Sequence, residues 1–203
     1  MKIYVIRHGE TDWNVERRLQ GQADIPLNDF GRKLAVLTGE GMRGIKFDAC
    51  ISSPLSRAYE TARLVLDNSG NEDVEFQKEP RIMEIYCGTR EGEVAGALSK
   101  EVQVDIDEAT FGGETRRQVM ERSQPVLREL ALKDYENVLV STHGCALRCM
   151  LNFLYEDPTD FWQGVLPVNC AVSIVEAGPD GMRILESDKV YYDKKYIVDH
   201  YTA

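Results

Sequence analysis

No apolar run in the 203-residue sequence approaches the length of a membrane span. A secretory leader is not expected either. Met1-Lys2 runs straight into four apolar residues, Ile3 to Ile6, too few for the hydrophobic segment of a signal peptide. Basic charge is in deficit, with 24 Lys and Arg against 34 Asp and Glu and a net charge of -10. Phosphate backbones and anionic lipids repel such a chain, so no nucleic acid and no membrane is expected as a partner. Metal-type cysteine spacing is missing as well. The five cysteines, Cys50, Cys87, Cys145, Cys149 and Cys170, form no Cys-x-x-Cys, and Cys145 and Cys149 beside His143 lack a second ligand pair. An odd number of thiols without a leader fits a reduced, cytoplasmic protein whose cysteines are small core residues. Repeats, low-complexity segments and linkers are absent. The length suits one domain, 1–203, with a short insertion or lid at about 93–112.

Against this negative field, a local group of cations is informative, because an anion site must be built in spite of the net charge. Ile3 to Ile6 read as a buried strand that stops at Arg7-His8-Gly9. That ending suits an imidazole facing an anion beside a guanidinium, with no side chain at Gly9 to block the approach. Asp12 to Gln22 is too long and polar for a simple connector and should fold over something. Its Arg17 and Arg18 could reach an anion; for Arg18 a solvated pair with Glu16 is the preferred alternative. Asn28 or Asp29 caps a helix to about Gly44, and Phe47 to Ile51 form a second strand. Ser53 as N-cap and Pro54 at the first helical position start a helix to about Asp67. Arg57 then lies in the first turn, unfavourable for the helix dipole and well placed for a phosphate.

Val74 to Phe76 form a short strand. Glu84 lies among Ile82, Met83, Ile85 and Tyr86, where desolvation raises a carboxyl pKa and can keep it protonated; an outward Glu on an irregular strand is the alternative. Thr115 caps a helix to about Lys133 that Pro125 should kink or break. Asn137 to Thr142 is a buried strand ending in His143-Gly144, echoing His8-Gly9, and Cys145 to Leu154 is helical. Asn169 to Glu176 and Met182 to Ser187 are the last strands. The tail, with Tyr191, Tyr192, Lys194, Lys195, Tyr196, His200 and Tyr201, reads as a docked or frayed terminus; a site cover or a homodimer contact is the alternative.

Alternating strands and helices predict a mostly parallel sheet with helices on both faces. Strand C-terminal ends then share one edge, which brings Arg7, His8, Arg57 and His143 together as a pocket for a dianion. Phosphoryl chemistry accounts for the set. A neutral imidazole attacks phosphorus, guanidiniums hold the oxygens, and a protonated carboxyl serves the leaving alkoxide. No metal or other cofactor is required, because the guanidiniums supply the charge.

Four ordered stretches, Arg7-His8-Gly9-Glu10-Thr11, Ser52-Ser53-Pro54-Leu55-Ser56-Arg57-Ala58, Glu84 through Gly92 and Ser141-Thr142-His143-Gly144, resemble the histidine phosphatase superfamily, also called phosphoglycerate mutase-like. The likeness spans nearly the whole chain. It implies a three-layer α/β/α sandwich whose sheet is mostly parallel with one antiparallel strand. It also implies His8 as nucleophile, Arg7, Arg57 and His143 as phosphate pocket, Glu84 as proton donor and Asn14 beside the phosphate. Gln20, Gly21 and Gly144 join the substrate-binding set on the same ground.

Two features separate the chain from the mutase branch of that family. Leu19-Gln20-Gly21-Gln22 stands where mutases resemble Phe-Thr-Gly-Trp, and the region after the Glu motif is short and acidic, Glu101 to Glu108. Arg116-Arg117 follows Gly-Gly-Glu-Thr, which is similar to the helix start of the family's phosphatases. A phosphomonoesterase acting on a small phosphorylated metabolite is expected. Gln20, Gln22, Tyr86 and Glu93 to Thr110 should form the rim that selects it. The alternatives are a cofactor-dependent phosphoglycerate mutase and an inactive phospho-ligand binder. The complete set of His8, Arg7, Arg57, Glu84 and His143 speaks against the last.

Overall fold

The apolar runs around Ile3, Ile51 and Leu139 become strands in the computed structural model, which describes residues 1–94, 109–163, 166–198 and 200. Among these residues the strands are β1 (Lys2–Arg7), β2 (Ala49–Ser52), β3 (Glu75–Lys78), β4 (Asn137–Thr142), β5 (Val172–Gly178) and β6 (Gly181–Lys189). They form one sheet in the order β3-β2-β4-β1-β5-β6. β1 with β4, β2 with β4 and β2 with β3 pair in parallel. β5 runs against both β1 and β6, so it is the one strand of reversed direction. The helices are α1 (Asp12–Val15), α2 (Asp29–Gly41), α3 (Ser56–Ser69), α4 (Arg116–Leu130) and α5 (Gly144–Leu151).

Side chains of the central strands alternate between two cores, as the pleat requires. Ile3 and Val5 of β1, with Val138 and Val140 of β4, meet Val126 and Leu127 of α4 and Leu147 and Met150 of α5. Tyr4 and Ile6, with Leu139, meet Leu34 of α2 and Ala62, Val65 and Leu66 of α3 on the other face. Helices thus cover both sides, and strands buried on both faces read as unbroken apolar runs. Each such aliphatic side chain contributes about 1.5–3 kcal/mol relative to exposure. No helix among the described residues is long and apolar enough to cross a membrane. All five cysteines are buried thiols.

Several local expectations need correction. Ser53 does not cap α3; the helix starts at Ser56, its N-cap position is Leu55, and no side chain caps it. The Ser53 hydroxyl is instead engaged with His143. Arg57 remains in the first turn. Arg81 to Gly88 begins in a 3-10 turn at Pro80–Ile82 and continues as irregular chain, which leads into a second 3-10 turn at Gly88–Arg90. The short strand expected from Val74 to Phe76 lies at Glu75–Lys78. α4 ends at Leu130 and continues through Pro125 without a break. Burial of Val119, Val126, Leu127 and Leu130 offsets a proline cost of about 3 kcal/mol. Asn28 caps α2 by accepting from the Gly31 N–H at 2.8 Å, and Thr115 forms a capping box with Gln118.

Gly9 has a different reason from the expected one. A Cβ there would stand 2.6 Å from the Gly31 carbonyl oxygen, and a Cβ on Gly31 would stand 2.1 Å from that of Glu10. The two glycines let the end of β1 touch the first turn of α2, backbone against backbone. Of the expected lid, Val94 bridges to Arg18 in antiparallel fashion, and 95–108 lie outside the described residues.

Candidate active site

The C-terminal ends of β1, β2 and β4 share an edge of the sheet, and His8 sits at its centre. Its backbone is held from three sides. The His8 N–H donates to the Thr142 carbonyl at 3.0 Å, and Asn169 Nδ2 donates to the His8 carbonyl at 3.0 Å. The next N–H, from Gly9, donates to Thr61 Oγ1 at 2.9 Å. The imidazole is fixed too: Nδ1 donates to the Gly9 carbonyl at 2.7 Å. A carbonyl oxygen only accepts, so the shared proton belongs to Nδ1 and the lone pair to Nε2.

Three cations or imidazoles surround this nucleophile candidate. Arg7 donates through Nη1 to the Pro167 carbonyl. Arg57 is wholly buried and donates from Nη1 to Ala23 O and from Nη2 to Gly21 O, both at 2.7 Å. Its Nε has no hydrogen-bond partner among the described residues. Burial lowers the Arg57 pKa to about 10, with Glu84 the largest opposing influence. His143 is wholly buried, its ring centroid 5.2 Å from that of His8, with Nε2 2.8 Å from Ser53 Oγ.

Glu84 is half-buried and shares the cavity wall with Ile85. Its Oε1 accepts from the Ile85 and Ala146 N–H groups, each at 2.9 Å, and its Oε2 accepts from Cys145 N–H at 3.2 Å. Two of these donors belong to the first turn of α5, whose N–H groups have no partner within the helix. Oε1 is thus engaged twice and Oε2 once.

A cavity of about 100 Å³ opens onto these groups. Arg7, His8, Arg57 and Glu84 line it, as do Asn14, Gln20, Gly21 and Gly144. Its other walls are Arg18, Leu19, Ile85, Cys87, Cys145, Trp162 and Leu166. His143 stands behind His8 and is not itself in the lining. Gln22 and Tyr86 do not line it either. Gln22 Nε2 donates to the Glu84 carbonyl at 3.1 Å, and Tyr86 is 42% exposed. Arg18 lies at the wall but pairs with Glu16 and donates to Gly92 O at 2.7 Å. Among the described residues no group of His, Cys, Asp or Glu is arranged to hold a metal ion.

The family model described as histidine phosphatase superfamily (branch 1) matches residues 3–189. The chain belongs to the histidine phosphatase superfamily. A relative from Salmonella paratyphi A, named probable phosphoglycerate mutase GpmB, is 31% identical over 87% of this chain and 85% of its own length. A solved phosphoglycerate mutase from Bacillus anthracis is 29% identical, with a TM-score of 0.79 over 97% of this chain and 94% of that one. A mycobacterial glucosyl-3-phosphoglycerate phosphatase, solved with VO3, is 25% identical, with a TM-score of 0.75 over 95% and 99%. Both mutases and phosphatases of the superfamily therefore share this fold.

Three residues that position the site of this histidine phosphatase superfamily member were missed in the sequence: Ser53 as partner of His143, Asn169 on the His8 carbonyl, and Thr61 on the Gly9 N–H. The first could have been suspected, since Ser53 sits at a strand end beside the Arg57 helix. Asn169 and Thr61 carry no local signal.

Both site histidines are held well below the ordinary imidazole pKa. Burial is the largest cause for each. For His8 the charges of Arg57 and then Arg7 follow, partly opposed by the Gly9 bond; for His143, Arg57 and then His8 follow. The folded state thus keeps both neutral while the unfolded chain takes up protons below about pH 6.5. Depressed folded pKa values mean that stability is present above the unfolded value and is lost as pH falls toward the folded ones. With two such groups the slope approaches about 2.7 kcal/mol per pH unit. Urea midpoints are expected to be steady above pH 7 and to fall between pH 6.5 and 5; a flat profile there would contradict neutral burial of the pair.

Proposed function

We propose that this chain is a metal-independent phosphomonoester hydrolase that acts on a small phosphorylated metabolite through a phosphohistidine. The observation that carries the reading is the Nδ1 bond of His8 to Gly9 O, which leaves Nε2 as an unprotonated nucleophile in a cavity lined by Arg7 and Arg57. In the first step Nε2 attacks phosphorus, the P–O ester bond breaks, and the leaving alkoxide takes a proton from Glu84 Oε2. In the second step Glu84 removes a proton from water, the hydroxide attacks phosphorus, and the P–N bond breaks to release inorganic phosphate and His8. Arg7 and Arg57 stabilise the charge on the equatorial oxygens in both steps, and Gly144 and Asn14 complete the phosphate end.

The 31% likeness to a protein named probable phosphoglycerate mutase favours a second reading, transfer of the phosphoryl group to another hydroxyl. A mutase must also grip the glycerate carboxylate. Arg18, the cation at the cavity wall outside the phosphate end, is already paired with Glu16, which supports hydrolysis. A time course on 3-phosphoglycerate, with and without 2,3-bisphosphoglycerate, separates the two. Free phosphate without 2-phosphoglycerate is expected for this substrate or, if it is refused, from a panel of phosphomonoesters. Isomer formation that depends on the bisphosphate and outpaces hydrolysis would replace the phosphatase by a mutase.

A further inference from the structure

Glu84 is carried by chain with no regular secondary structure, which the sheet holds at the Ile82 carbonyl, where Thr142 Oγ1 of β4 donates at 2.7 Å, and not at Glu84 itself. A guanidinium holds the carbonyls on either side of that anchor. Arg122, on α4, donates from Nη1 to the carbonyls of Arg81 at 2.7 Å and Met83 at 2.8 Å, and from Nη2 to that of Glu84 at 3.0 Å. Its Nε and Nη2 donate to the two carboxylate oxygens of Glu114, each at 2.8 Å. All five N–H donors of the fork are thereby used. Glu114 in turn accepts from the Tyr86 N–H at 2.9 Å, on the far side of Glu84. Neither Arg122 nor Glu114 lines the cavity.

We infer that the Arg122–Glu114 pair is a positioning device for the proton donor: it sets the path of 81–86 and so docks the Glu84 carboxyl on the first turn of α5. This rests on the reading of Glu84 as general acid. A lysine at position 122 keeps the charge but cannot reach three carbonyls and a carboxylate from one planar head. The expected defect is therefore selective. Esters whose leaving group needs a proton suffer, and esters whose leaving group departs as a stable anion do not.

Phenyl phosphate and p-nitrophenyl phosphate differ chiefly in that respect, and kcat/KM reports the steps through phosphohistidine formation. Arg122→Lys is expected to lose about tenfold or more on phenyl phosphate and less than about threefold on p-nitrophenyl phosphate, a fraction of what general acids supply. Inhibition by inorganic phosphate should be unchanged, since the phosphate end is not touched. Equal losses on both esters, or no loss on either, would overturn the inference. Should Arg122→Lys not fold, Glu114→Gln carries the same expectation, because it removes the charge and bidentate geometry that hold the fork. Glu84→Gln is the reference. A selective loss there with an unselective Arg122→Lys refutes the positioning role alone, whereas an unselective Glu84→Gln refutes the general-acid reading and the inference with it.

Discussion

His8→Ala is expected to lower kcat/KM on any accepted phosphomonoester by about 10⁴-fold or more, the scale on which loss of a covalent nucleophile is felt. The substitution removes the atom proposed to make the P–N bond, and no neighbour is placed to replace it. His143 is the nearest imidazole, but its Nε2 is engaged with Ser53 and it stands outside the cavity lining. A second readout is independent of rate. Wild-type protein mixed briefly with a phosphorus-labelled substrate and denatured in base should retain label on a group that releases it in acid, as a phosphoramidate does. His8→Ala should retain none. Turnover by the variant at more than about a tenth of the wild-type rate would exclude a covalent intermediate on this residue.

Arg57→Lys should follow with a loss of about 10²–10³-fold, as for removal of one preorganised oxyanion donor. The guanidinium ties down Gly21 and Ala23 through two carbonyls and still has Nε and the second N–H of each terminal nitrogen for an anion. An ammonium has three donors on one point and cannot hold both carbonyls while presenting a flat fork. The affinity for inorganic phosphate should fall as well, measured as its inhibition constant. Stability should fall through the lost bonds to Gly21 and Ala23, at about 1.5 kcal/mol or more each. Near wild-type kcat/KM in Arg57→Lys would mean that this buried cation serves the fold alone.

The sheet was legible because strands buried on both faces leave unbroken apolar runs, as at Val138 to Val140 and Ile3 to Ile6. The site edge was legible because residues that do poorly in a core, Arg7, His8 and His143, end those runs. Other features were hidden for physical reasons. Ser53 followed by Pro54 satisfies the local rule for a helix start, but a buried imidazole competes for the hydroxyl and the helix begins at Ser56 instead of Pro54. Glu84 is flanked by apolar residues in sequence, yet its carboxyl meets backbone donors on α5, 61 and 62 positions on. Gly9 looked like room for an anion and proved to be room for Gly31. Contacts of this kind join backbone to backbone or side chain to backbone across the chain, and they leave no periodic trace.

β1, which ends beside His8, precedes the other strands in the chain and is paired on both sides only once β5 follows. Lys2 pairs with Asn137 on one side and with Glu176 on the other. During synthesis β1 therefore emerges with both of its edges bare and must wait for most of the chain before either is covered. Non-local pairing of this kind slows folding, and unpaired apolar edges invite association with other chains in the interval. On the ribosome, then, His8 has a backbone but no address: the proposed phosphate-transfer capability should arrive abruptly, after β5 is released, rather than grow with nascent length.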